Sequence, residues 1–199
     1  MSRKYSITTS SVLPWTEAVN LINKLEKDGN WNMSLFIAVS IFFGTRVSDT
    51  ISITWDQLLD SELNPKDELV LLEQKTKKIR KIKINPQLAK HIQSCYNHIQ
   101  PKSLTDTILI SKKKCKYSIQ RLNIILKELK SNYKIDIKNF SCHSLRKCFA
   151  FEIYRQGEKS DYTLLKLSMI LNHHSISLTR RYLGLHDVEI ANAYELLSF

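Results

Sequence analysis

The sequence predicts a mainly helical domain with one small antiparallel β-sheet, an α+β arrangement, on three observations. Apolar residues recur at helical spacing along most of the 199 residues. The period changes to two over one stretch only, residues 68–84. Only 4 Gly and 4 Pro are present, too few for long irregular tracts. A chain of this length favours one domain, assigned to residues 14–199, after a polar, Ser/Thr-rich lead-in or linker over 1–13.

The elements follow in order. Pro14 opens a helix in which Ala18, Leu21, Ile22 and Leu25 share a face, and Gly29 closes it. A second helix covers 33–43 and stops at Gly44, and a third spans 47–53. Residues 68–73 read as a strand. From 79 to 84 one face is apolar from Ile82 onward, as in a half-buried strand, so a hairpin through Lys75, Thr76, Lys77 and Lys78 is predicted. Helix returns over 86–99, and 107–110 reads as a short strand. Helices are then expected at 117–131, 144–155, 161–171 and 175–182. A tail helix over 187–197 would be capped by Asp187.

Thirty Lys and Arg against 19 Asp and Glu leave a formal charge of +11. That excess suits a polyanion, because each neutralised phosphate releases condensed counterions. Cys95, Cys115, Cys142 and Cys148 form no C-x-x-C pair, which points to free thiols in a reducing cytoplasm. The start lacks the apolar core of a signal peptide, and the longest apolar run, 35–43, is too short to span a bilayer. No membrane partner is expected.

Three separated segments carry the chemistry: Gly44-Thr-Arg46-Val-Ser48-Asp49, His143-Ser-Leu145-Arg146, and Leu171-Asn-His173 followed by Thr179-Arg-Arg-Tyr182. Each alone is commonplace, and Tyr182 by itself would be read as a packing tyrosine. Taken in order and spacing, they resemble the tyrosine recombinase, or phage integrase, family. Its boxes run G-x-R-x-S-E, H-x-L-R, and L-G-H with T-x-x-Y. Residues 75–84 resemble the family's K-T-G-K-x-R-x-V-P-L hairpin. Asp49 stands for the usual Glu, Asn172 for a Gly, and Lys77 and Lys83 for the hairpin's Gly and Pro.

The resemblance implies the tyrosine recombinase catalytic-domain fold and six catalytic residues: Arg46, Lys75, His143, Arg146, His173 and Tyr182. It implies a site-specific recombinase that cleaves and rejoins DNA through a 3′-phosphotyrosine, with no cofactor and no metal. The physical logic stands beside it. Guanidiniums clamp the non-bridging oxygens of a phosphodiester and stay charged at any working pH. A phenol of pKa about 10 needs a base or a strong field to attack. His143 can accept its proton or donate to the phosphate, and His173 can donate to the phosphate. A hairpin lysine can protonate the leaving 5′-oxygen, and Lys75, Lys77 and Lys78 all stand there, Lys75 by resemblance.

Lys77, Lys78, Arg80, Lys112, Lys113, Lys114, Lys147 and Arg180 are the candidate DNA-backbone contacts. The expected partners are double-stranded DNA and, by the resemblance, three further copies in a tetramer on DNA, a monomer in its absence, in the cytoplasm with the nucleoid. With only residues 1–13 before the first helix, the chain is a short member, like the fimbrial phase-variation invertases, or a fragment of a longer integrase. Two other readings stay open: a type IB topoisomerase using the same groups, and a non-catalytic DNA-binding relative.

Overall fold

A computed structural model describes residues 10–111 and 115–185. The helices α1 (Trp15–Lys27), α2 (Trp31–Phe43), α3 (Val47–Thr50) and α4 (Trp55–Leu58) lead into the strands β1 (Glu68–Leu72) and β2 (Ile79–Lys83). The helices α5 (Pro86–Ile99), α6 (Ile119–Asn132), α7 (Cys142–Gln156), α8 (Asp161–Leu171) and α9 (Ile176–Leu183) complete the domain.

The core forms around α2, which is apolar on every side and therefore buried on every side. Helices α1, α5 and α7 pack on it. Helix α1 lays down Ala18, Leu21, Ile22 and Leu25, as its periodicity predicts, with Glu17 in its first turn and Lys24 and Lys27 in its last. Leu13, from the lead-in, is also fully buried.

A smaller cluster joins Ala150 and Tyr154 of α7 to Leu164, Leu167 and Leu171 of α8 and Leu183 of α9, with Tyr182 packed against it. The end of α9 is thus held by ordinary burial, about 1.5–3 kcal/mol for a side chain like Leu183.

The strands pair antiparallel in the register Glu68↔Lys83 to Leu72↔Ile79. Leu69 and Leu71 face the core while Val70 and Leu72 face solvent. Lys77, standing where the family pattern has Gly, adopts φ +57°. The left-handed turn therefore persists without glycine, at about 1–2 kcal/mol. Asn172 likewise takes the left-handed C-cap of α8, at φ 53° and ψ 50°.

The structure departs from the predicted elements in a few places. Residues 107–110 are not a strand: two isolated bridges, Thr54↔Thr107 and Ile110↔Lys116, flank consecutive buried Ile108 and Leu109. Helix α3 ends at Thr50, since Ile51 and Ser52 turn toward α4. That short helix was legible as a capping box, Thr54 with Gln57, yet went unpredicted. Helix α7 begins at Cys142, two residues before the predicted start, which brings His143 into its first turn. The tail helix expected at 187–197 lies outside the described residues.

Candidate active site

Helix α2 ends on Gly44 in the left-handed conformation, φ 56°. A Cβ there would lie 2.2 Å from the Phe149 ring of α7. Only glycine lets the two helices approach so closely, and the approach brings the Gly44 carbonyl to Arg146. The Arg146 Nη1 donates to that oxygen at 2.8 Å and Nη2 donates to the Leu171 carbonyl at 2.8 Å. Arg146 is buried, 6% exposed, and neither hydrogen bond goes to a carboxylate. Burial lowers its pKa to about 10, so it stays charged at neutral pH. A buried cation held by neutral carbonyls is costly unless an anion arrives.

Arg46 caps the N-terminus of α3 and reaches the hairpin, its Nη1 3.2 Å from Oε2 of Glu73. Glu73 is 3% exposed, accepts from the Thr76 hydroxyl at 2.6 Å, and faces Arg80 Nη1 at 3.7 Å. Burial alone would raise its pKa. The Thr76 hydrogen bond and the charges of Arg46 and Arg80 outweigh burial and hold it below the usual carboxylate range. Asp49, fully buried, accepts from the Gln74 backbone N–H at 2.9 Å and ties α3 to the hairpin turn.

The histidines and the tyrosine complete the cleft. His143 and Arg146 stand three residues apart on α7 and so share a face. The His143 ring opens to solvent, while its packed side and the charges of Arg146 and Lys147 lower its pKa. His173 Nδ1 is 3.0 Å from the buried Thr179 hydroxyl, leaving Nε2 as its free nitrogen. Burial, followed by the charges of Arg146, Arg46 and His174, drives its pKa to about 4, so the ring is neutral at pH 7. The rings of His173 and Tyr182 meet edge to face at 5.3 Å. Burial raises the Tyr182 pKa to about 12 against the opposing pull of Arg146 and Arg46. The Tyr182 hydroxyl feels Arg146 as its principal charge but makes no hydrogen bond of good geometry.

Arg46, Lys75, His143, Arg146, His173 and Tyr182 line one cleft of about 400 Å³ together with Val47, Ser48, Ile119 and Cys142. They come from α3, the hairpin turn, α7, the loop after α8, and α9. Lys78 instead lines a neighbouring hollow with Ile79, Arg80 and Met169. Cys142 is a protonated thiol, its pKa raised to about 12 by burial. Among the described residues no three His, Cys, Asp or Glu side chains converge as a metal site.

The candidate DNA contacts divide. Lys77 and Lys78 are exposed on the hairpin turn. Arg80 turns inward, donating to the Phe43 carbonyl at 2.9 Å beside Glu73, so it braces the hairpin. Lys147 donates to the Ser10 carbonyl at 3.0 Å, and Arg180 pairs with Asp161 at 2.6 Å. Lys112, Lys113 and Lys114 lie outside the described residues. Sequence reasoning missed Glu73, and it quoted Thr179 as a motif position without assigning it the contact with His173. Glu73 continues the inward phase of Leu69 and Leu71, so a carboxylate at a core-facing strand position was its available signal.

Residues 12–188 match the phage integrase family. The chain is similar to the tyrosine recombinase XerC of Caldanaerobacter subterraneus subsp. tengcongensis, 27% identical over 197 residues. That match covers 96% of this chain and 52% of the relative, so the chain spans about half of that protein's length. It is 30% identical over 178 residues to the probable integrase/recombinase YoeC of Bacillus subtilis, covering 88% of this chain and 87% of YoeC. In fold it resembles the crystal structure of XerA recombinase, with TM-score 0.70 and 20% identity over 94% of this chain and 66% of that one. It also resembles a lambda integrase dimer bound to a COC′ core site, with TM-score 0.65 and 17% identity over 92% of this chain and 50% of that one.

Proposed function

The chain belongs to the phage integrase family, and from that premise we propose that it is a site-specific DNA recombinase acting through a 3′-phosphotyrosine. The observation that carries the proposal is the convergence of the two arginines, two histidines, Lys75 and Tyr182 on one cleft, with Arg146 buried and lacking a carboxylate partner. Its natural counter-charge is a phosphodiester.

In the proposed reaction Arg46 and Arg146 hold the non-bridging oxygens and stabilise the charge that gathers on them. The Tyr182 oxygen attacks phosphorus, forming the O–P bond as the bond to the 5′-oxygen breaks. His143, neutral at pH 7, takes the phenolic proton, and Lys75 supplies a proton to the leaving 5′-oxygen. His173 donates from Nε2 to the phosphate, its other nitrogen occupied by Thr179. Attack by a 5′-hydroxyl of a second strand reverses each transfer and releases Tyr182. No step calls on a metal, since the cations are the chain's own.

Double-stranded DNA is the proposed partner, with assembly into a tetramer on paired sites, in the cytoplasm with the nucleoid. The DNA complex of a dimeric relative supports DNA as partner. The test is Tyr182→Phe on a nicked suicide substrate run on a denaturing gel. Wild type yields a protein–DNA adduct and the Phe variant binds DNA without yielding one. An adduct from the Phe variant would assign the attack to another residue.

A further inference from the structure

Lys147 follows Arg146 on α7 and lies one turn beyond His143. Its side chain is half-buried, and its ammonium stands 5.5 Å from the centroid of the Tyr182 ring. The same ammonium donates to the Ser10 carbonyl at 3.0 Å. Ser11 is pinned in turn: its N–H donates to the Asn139 carbonyl at 3.1 Å, and its hydroxyl accepts from the Asn139 N–H at 3.2 Å. The lysine is thus tethered, and what it is tethered to is neutral.

Arg146 is likewise held by carbonyls, but it is placed with Arg46 to take the phosphate, whereas Lys147 is set over the tyrosine ring. Arg46 shares the tyrosine's cleft from the start of α3, Lys75 from the hairpin turn, His143 and Arg146 from α7, and His173 from the loop after α8, with Glu73 beside Arg46. Once a phosphodiester enters, Arg46 and Arg146 pair with its oxygens and their pull on the phenol is largely spent. A cation on a carbonyl keeps its full charge. Burial also holds the Lys147 pKa below the usual lysine range, as for an ammonium partly stripped of water, whose field is less screened.

We propose that Lys147 is a positioning residue for the nucleophile: tied to the Ser10 carbonyl and set over the Tyr182 ring, its ammonium favours the phenolate that attacks phosphorus. A neutral phenol offers the cation only its ring quadrupole, whereas the phenolate adds a full charge, so the contact strengthens on ionisation. The proposal rests on the reading of Tyr182 as nucleophile, but its test measures ionisation and needs no DNA.

Fluorotyrosine incorporated throughout the chain brings phenol ionisation into a range a folded protein tolerates. The ¹⁹F resonance missing from Tyr182→Phe identifies Tyr182. Its titration midpoint should rise by about one pH unit in Lys147→Met and Lys147→Gln, the size expected of a half-buried charge at this range. Lys147→Arg, which restores the charge, should bring it back most of the way. A midpoint unmoved in both neutral variants would overturn the proposal, as would Arg and Met variants shifted alike. An adduct formed by Tyr182→Phe would instead strike the nucleophile assignment and leave the titration standing.

Discussion

Replacing Glu73 with Gln tests the electrostatic base of the cleft, because one buried carboxylate there faces two guanidiniums. Arg46 lies at 3.2 Å and Arg80 at 3.7 Å, each with a gross attraction of about 5 kcal/mol at an effective dielectric of about 20. Desolvation of the buried carboxylate cancels much of this, and removing one partner of such a buried group costs about 3–5 kcal/mol. The Gln variant should therefore unfold about 6–20 °C lower for a domain of this size.

The pH dependence has a defined sign. The folded pKa of Glu73 is depressed, so its contribution is present above the unfolded value near 4.5 and lost as pH falls through the folded one. Calorimetry from pH 7 down to pH 3 should show the variant converging on wild type at the acid end. With one negative charge removed, the variant should also bind duplex DNA more tightly at low salt, provided it is assayed well below its melting point. A variant as stable as wild type at pH 7, or a deficit that does not shrink with acid, would refute the role assigned to Glu73.

Other substitutions probe the remaining supports. Lys75→Ala should slow cleavage about 10²–10⁴-fold on ordinary DNA and recover on a 5′-bridging phosphorothiolate, where sulfur leaves without a proton; rescue confined to Lys77→Ala or Lys78→Ala would move the acid along the hairpin. Gly44→Ala should cost about 2–5 kcal/mol in urea unfolding, from the left-handed φ and the Phe149 contact. Adding Phe149→Ala should return only the steric part of that loss, and a double variant no better than Gly44→Ala would contradict the packing argument. Thr179→Val should leave DNA affinity unchanged and slow single-turnover cleavage about 10–100-fold, since His173 loses the partner that orders its ring; an unchanged rate would show that the pairing is idle.

Features that depend on local spacing were legible in the residues alone. The helical stripe of α1, the alternation of β1 and β2, and the all-round apolar α2 are each decided by which side chains must leave water, and a period reports that directly. The six candidate site residues were legible through ordered motifs, because each motif is a short stretch with its own local geometry. Even the departures were readable: Asn172 and Lys77 both take the left-handed conformation that their glycine counterparts would.

How those segments bear on one another emerges only when the helices pack. That Arg146 is satisfied by carbonyls, that Glu73 joins Arg46 to Arg80, and that Lys147 sits over Tyr182 while holding Ser10 are relations that reach as far as 137 positions along the chain. Arg80 illustrates the difference: as a basic residue on a basic hairpin it read as a DNA contact, yet its guanidinium turns inward to the Phe43 carbonyl. A sequence states which charges a chain carries. Their partners, and therefore which are free to meet a phosphate, follow from burial and distance, and these exist only once the helices have packed.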